Sequence, residues 1–305
     1  MRRALIALGA AVAVMVAAFA FMPSREAFVQ YFRLEPRATV LFAGDMLFDR
    51  SLREHAEQYG GDYLFECIDS TLQGYDLVVA NLEGPITESK SLSVGSAPGS
   101  RYNTTFTFPT STATLLKKHR IDVVSMGNNH IENFGTAGVE STKYWLDGAG
   151  VKYFGEPGVP TVAELDVRGI RLSFIGYNEF GGEASTTLAQ IAAAKSKGRM
   201  PVVFAHWGIE YETTALPRVV VLAHQFVDAG AIAVIGSHPH VVQNNEAYKG
   251  VPVYYSLGNF IFDQYFSAEV MRGLLVELEF SPAGVVGVRE IPTALSRDRR
   301  VCPVE

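Results

Sequence analysis

Six short polar clusters carry the residue types that hold metal ions and move protons. They are Ala43-Gly44-Asp45-Met46 with Arg50 beyond it; Asn81-Leu82-Glu83-Gly84-Pro85; Met126-Gly127-Asn128-Asn129-His130; Ala205-His206-Trp207-Gly208-Ile209-Glu210-Tyr211; Gly236-Ser237-His238-Pro239-His240; and Ser256-Leu257-Gly258-Asn259-Phe260, running on to Asp263 and Gln264. Carboxylate, amide and neutral imidazole groups are natural ligands of Zn, Mn or Fe. Two such ions about 3.5–4 Å apart clamp the attacking and leaving oxygens of an in-line displacement. Taken singly, each cluster is weak: Gly-Asp after a strand is usually a turn, and His206 beside Trp207 reads equally as a satisfied core histidine. His238-Pro239-His240 is stronger, because alternation along a strand would put both imidazoles on one face. The joint pattern carries the signal. His55, His119 and His224 fall in helix-like stretches and read as structural or exposed; His119 belongs to the basic run Lys117–Arg120, which suits a helix C-terminus.

The clusters sit at the ends of apolar runs that read as buried strands: Thr39–Ala43, Asp76–Ala80, Ile121–Ser125, Ile170–Gly176, Pro201–Ala205, Ala231–Ile235 and Val251–Ser256. Between them Leu52–Tyr59, Thr112–Lys118, Val139–Ala149 and Val219–Ala229 read as helices. Such alternation predicts an α/β domain, and open α/β folds bind ligands at strand ends. Gly273–Phe280 and Gly284–Ile291 read as a hairpin, so the sheet is expected to be mixed. Glycines beside Asp45, Glu83, Asn128, His206 and His238 are expected to turn the chain so that the side chains converge. Thr87–Arg101 and Glu179–Ser185 read as loops, the first a mobile surface loop, and either is a candidate border of a substrate cleft.

With 305 residues, 48% hydrophobic and 19% charged, the chain can bury a large core. A net charge of -6 argues against a nucleic-acid partner. Cys67 and Cys302 cannot make a cysteine zinc site; two buried thiols are the expectation and one bridge the alternative. Arg2 and Arg3 precede an apolar run, Ala4–Met22, of roughly 19 residues, close to a bilayer span. The positive-inside rule then places the rest outside the cytoplasm. Residues 1–28 are expected to be a membrane anchor, or a signal cleaved near Ala18-Phe19-Ala20, followed by a stalk over 29–38 and a domain over 39–305. No nucleophile elbow, P-loop or dinucleotide fingerprint is present.

Taken in order, Gly44-Asp45 with Arg50, Asn81-Leu82-Glu83, Asn128-Asn129-His130, His206-Trp207-Gly208 with Glu210-Tyr211, His238-Pro239-His240 and Ser256–Phe260 resemble the signature blocks of the CapA-type capsule-synthesis family. That family is linked to poly-gamma-glutamate and is a branch of the calcineurin-like metallophosphoesterases; the match runs from Thr39 to Gln264. The resemblance implies a four-layer α/β/β/α sandwich and two divalent ions held by Asp45, Glu83, Asn129, His206, His238 and His240. His130 would assist the leaving group, and Arg50, Asn128, Glu210, Asn259 and Asp263 would contact substrate or support ligands. Two departures stand out. Met46-Leu47 follows Asp45 where the wider superfamily has an Asp-x-His pair, and Asn133 stands where the family usually has Asp. The implied function is an extracytoplasmic metal-dependent hydrolase or transferase of the bacterial envelope, acting on a phosphoester or capsule-polymer linkage, with a membrane-bound synthase as candidate partner. The alternative is a non-enzymatic, polymer-binding scaffold component with a vestigial metal site.

Overall fold

The alternating apolar runs build two sheets. In a computed structural model of the chain, which describes residues 35–304, the first sheet centres on β1 (Ala38–Met46). Parallel to it run β2 (Leu77–Leu82), β3 (Val123–Ser125), β4 (Lys152–Phe154) and, on β1's other side, β11 (Asn259–Ile261). The expected hairpin forms as β12 (Arg272–Ser281) and β13 (Gly284–Leu295); β12 pairs antiparallel to β1, and β14 (Val301–Pro303) closes the edge. The second sheet has the order β5 (Val162–Val167), β6 (Ile170–Asn178), β7 (Met200–His206), β8 (Ala233–Ser237), β10 (Val251–Tyr254) and β9 (Asn245–Tyr248), with β6, β7, β8 and β10 parallel.

Strand alternation sorts the side chains between apolar clusters. Val40 and Phe42 of β1 join Val79 and Val123 in a cluster with Phe174, Val202, Phe204 and Ile235 of the second sheet. Leu41 and Ala43, on β1's opposite face, pack with helices: α1 (Arg50–Tyr59) through Leu52, α2 (Asp69–Leu72) through Leu72, α3 (Ser111–Lys118) through Leu116, and α4 (Gly135–Ala149) through Val139 and Leu146. On the second sheet Ile175, Val203 and Val234 pack with Ile191 of α5 (Ala184–Ser196) and with Val219, Ala223 and Phe226 of α6 (Pro217–Ala229). Burial on both faces is why the central strands read as continuous apolar runs. The architecture is the mixed α/β one expected.

Helix α5 is a difference: Ala184 and Ser185, read as loop, begin it, and its buried residues are only Thr187, Ile191 and Ala194, too small a stripe to mark a helix in advance. The cysteines are another. Cys67 and Cys302 form a disulfide rather than two thiols, with Cα atoms 5.0 Å apart. Their separation of 235 residues hid this, because only the pairing of β14 with β13 carries Cys302 back to the segment before α2. His119 caps α3 at its C-terminus and bridges Asp62 and Asp69, while His224 pairs with Glu246, so both are structural. No helix among the described residues is long and apolar enough to cross a membrane, and the expected segment over 1–28 lies outside them.

Candidate metal centre

Register brings the polar residues into two rows. Asp45 on β1 pairs with Asn81 on β2 and with Asn259 on β11, and Asn81 pairs onward with Ser125 on β3. In the second sheet Asn178, His206 and Ser237 are aligned across β6, β7 and β8. Apart from Asn259, which opens β11, both rows lie at the carboxyl ends of parallel strands, the usual place for a ligand in an open α/β sheet.

The rows meet in a buried network. Asn81 donates from Nδ2 to Oδ1 of Asp45 (2.8 Å); that nitrogen also lies 3.4 Å from Oε2 of Glu83 and 3.3 Å from Nδ1 of His206. Its Oδ1 accepts from Nδ2 of Asn128, which also donates to the carbonyl of Leu82. Oδ2 of Asp45 accepts from the backbone N–H of His238 (3.2 Å) and stands 3.3 Å from Nδ1 of His240, whose Nε2 is 3.5 Å from Oε1 of Glu83. His206 has Nδ1 3.0 Å from Ser237 Oγ and Nε2 2.8 Å from Oδ1 of Asn129. The rings of His206 and His238 are 4.7 Å apart, and Phe180 of the Glu179–Ser185 segment packs on His238 at 4.4 Å.

Thus the structure gathers Asp45, Glu83, Asn129, His206, His238 and His240 at one place. Sequence reasoning missed Asn81 as a site residue. The signal was there: Asn81 and Glu83 are two apart at the end of a strand and so share a face. Strand alternation does not align the histidine pair, because His238 and His240 lie beyond β8 with left-handed φ of 97° and 58°. They converge through that turn, with ring centroids 6.1 Å apart, and not through alternation. Gly44 and Gly236 also act otherwise than expected. A Cβ on either would meet a carbonyl oxygen at 1.9 Å, of Gly258 and Tyr255 respectively, so these glycines permit close approach of neighbouring chain instead of turning it.

Burial dominates the electrostatics. It pushes the imidazoles of His130 and His238 down to about 4, and that of His206 well below its ordinary range, so all three are neutral at pH 7. Glu83 is pushed well upward by burial and then by the charge of Asp45. Burial would also raise Asp45, but the hydrogen bond and charge of His240 hold it down to about 2.

Around the centre lies a cleft of ≈ 550 Å³ lined by His130, His240, Arg50, Asp263 and Glu210, with Ser93–Gly99 of the long loop along one side. That loop is tied down, since Ser91 Oγ donates to buried Asp49 at 2.7 Å. His130 has Nδ1 3.2 Å from Oδ1 of Asn133 and Nε2 4.0 Å from Oε1 of Glu83. Asn133 therefore orients His130 through its amide oxygen. Asn128 supports from behind, its Oδ1 accepting the backbone N–H of His130, and Asn259 lies 3.0 Å from Nδ1 of His240 through its Oδ1. Arg50 pairs with Asp263, and Glu210 is exposed at the rim.

Two polar atoms test whether these residues fit a cation. Oε1 of Glu83 and Nδ1 of His238 are buried with no hydrogen-bond partner, a costly arrangement that divalent ions would relieve. Oxygen and imidazole donors with Asp45, Glu83 and His206 at the core suit such ions.

Fold and site together define a mixed α/β protein with a buried carboxylate–imidazole centre. Residues 39–264 match the model of the bacterial capsule synthesis protein family, PGA_cap, and the chain belongs to that family. It is similar to the capsule biosynthesis protein CapA of Bacillus anthracis, 31% identical over 255 residues, which is 76% of this chain and 61% of that protein. It is also similar to the PGA biosynthesis protein CapA of Bacillus subtilis (strain 168), 28% identical over 243 residues, 73% of this chain and 63% of that one. A probable polyglutamine synthesis accessory protein of Mycobacterium tuberculosis is 25% identical over 223 residues, covering 61% and 58%. The matched region thus spans about three fifths of each relative's length.

Proposed function

We propose that this chain is a metal-dependent phosphoester hydrolase or transferase that works outside the cytoplasm in the making of a bacterial envelope polymer. The observation that carries this is the buried group Asp45, Glu83 and His206, with unpartnered atoms of Glu83 and His238 beside it. Asp45, Glu83, Asn129, His206, His238 and His240 would hold two divalent ions, Mn, Fe or Zn. Bound ions supply positive charge to an anionic ester and lower the pKa of water. The chain's own residues do the positioning. Asn81 fixes the carboxylate of Asp45, Ser237 the ring of His206 and Asn259 that of His240. His130, neutral and with its Nδ1–H toward Oδ1 of Asn133, presents an unprotonated Nε2 to the cleft, which would have to take up a proton before passing one to the leaving oxygen.

Two sheets joined by a common apolar cluster, each with helices on its other face, suit the four-layer sandwich of metallophosphoesterases. The Cys67–Cys302 bridge suits an oxidising compartment, in keeping with an anchor or signal over 1–28, a stalk over 29–38 and a domain from 39 onward. The relatives' names, capsule and PGA biosynthesis, support a polymer-making context, and within it we propose a membrane-bound synthase as partner. One observation favours a second reading, a polymer-binding scaffold: Leu47, where the superfamily has a histidine, is fully buried in the core and donates nothing.

An aryl phosphodiester assay with added Mn, Fe or Zn separates the two. Catalysis predicts turnover that falls about 10²–10⁴-fold in His130→Ala with metal content unchanged. Absence of turnover with every divalent ion would leave the scaffold reading standing.

A further inference from the structure

The cleft beside the metal centre has a charge pattern that ligand geometry alone does not require. Among the described residues lining it, Arg50 is the one lysine or arginine, and its Nη2 already donates to Asp263. Glu54 and Glu210 line the same cleft, and among the described residues neither carboxylate forms a salt bridge with a lysine, arginine or histidine. The other walls are uncharged. Phe106, Tyr211, Phe262 and Phe266 supply aromatic surface, and Ser93 and Asn103 supply neutral polar groups.

Arg50 is held with care. Its backbone is left-handed, at φ 50°, an unusual state for a residue with a side chain. Its guanidinium carbon lies 5.1 Å from the ring centre of Phe106 and 5.5 Å from that of Phe262, and its buried Nε has no hydrogen-bond partner. A guanidinium fixed between rings, with one edge on a carboxylate, is prepared for one further anionic group. A chain bearing a carboxylate on every residue would instead face two unmatched carboxylates and a single cation with room for only one of its anionic groups. Ions at the metal centre would draw one anionic group to the floor of the cleft without changing the sign of the charge at Glu54 and Glu210.

We propose that the cleft selects a substrate with a single anionic group near Arg50 and an uncharged, ring-bearing body against the aromatic walls, and that it turns away a polycarboxylate chain. This rests on the phosphoester reading above. It assigns the site to a small ester or polymer precursor, and not to the finished acidic polymer.

Calorimetric titration of the full chain in detergent, with Mn added, tests the idea without turnover, using diphenyl phosphate and a γ-linked glutamate octamer as probes. Diphenyl phosphate is expected to bind, and to bind about tenfold more weakly in Arg50→Ala and in Arg50→Lys, the milder change guarding against misfolding. The octamer is expected to bind at least about tenfold more weakly than diphenyl phosphate, and to gain several-fold in the double variant Glu54→Gln, Glu210→Gln, whose sites are exposed. The proposal is overturned if the octamer binds as well as diphenyl phosphate, if neither binds, or if both Arg50 variants leave diphenyl phosphate unaffected. Metal content of the same samples is read separately. A chain that takes up no metal removes the phosphoester reading, while the ranking of the two probes still decides the selectivity.

Discussion

Asn81 donates its side-chain amide to Oδ1 of Asp45 across 2.8 Å, tying together the ends of two neighbouring parallel strands where neither residue has any solvent exposure. The same nitrogen approaches Glu83 and His206, so one amide sets the spacing of the three side chains best placed to hold a cation.

Replacing Asn81 by Ala should therefore cost both stability and metal. Stranding a buried carboxylate oxygen is worth about 1–3 kcal/mol, so urea unfolding should shift by that amount. Divalent metal retained after dialysis should fall in the same sample. A variant that keeps its metal and its unfolding midpoint would show that Asn81 only fills space.

Gly44→Ala should be among the most damaging of small substitutions. The added methyl would lie 1.9 Å from the carbonyl oxygen of Gly258, to which the next residue, Asp45, donates its backbone N–H at 3.1 Å. Relieving that clash means moving β11 away from β1, and overpacking of this kind costs about 1–3 kcal/mol or more. Thermal unfolding followed by circular dichroism measures it; an unchanged midpoint contradicts the close approach.

The disulfide between Cys67 and Cys302 should stabilise the domain by about 2–5 kcal/mol through its effect on the unfolded chain. Denaturant unfolding with and without a thiol reductant, repeated on Cys302→Ser, should give equal stabilities for the reduced and substituted proteins, both below the oxidised one. Equal stability of all three would mean that the bridge does not form in solution.

The paths by which the fold was legible differ from those that hid parts of the site. β1, β2, β7 and β8 were readable because both faces of each strand are covered, leaving continuous apolar runs such as Val40–Ala43 and Val202–Ala205. α5 was not, because Thr187, Ile191 and Ala194 make a stripe too slight to see, and β11 is only three residues long. Asp45, Glu83 and His206 stood out by chemistry at strand ends. Asn81 shares a face with Glu83, and that spacing marks it as a neighbour of the site, but the four partners it touches come together only once β1 and the second sheet close around it. The role of Gly44 depended on Gly258, more than 200 residues away, a contact that no local pattern encodes.

Acid should loosen the start of the first sheet. Burial would raise the Asp76 carboxyl, but hydrogen bonds from Thr39 and Arg168 hold it below its ordinary value. A depressed native pKa means stability that is present above the unfolded value of about 3.9 and lost as pH falls through the folded value. Unfolding free energy measured between about pH 6 and 3 should thus decline less steeply in Asp76→Asn than in wild type. Parallel profiles would remove Asp76 from the acid response.

The central claim is that buried carboxylates and imidazoles at the strand ends hold divalent ions. Elemental analysis by plasma mass spectrometry of protein dialysed against metal-free buffer, wild type beside Glu83→Gln and the double variant His238→Ala, His240→Ala, tests it most directly. The account predicts close to two equivalents of Mn, Fe or Zn in wild type, and a loss of about one or more equivalents in each variant. Wild-type protein that carries no divalent metal, even after incubation with excess Mn, Fe and Zn, would contradict it.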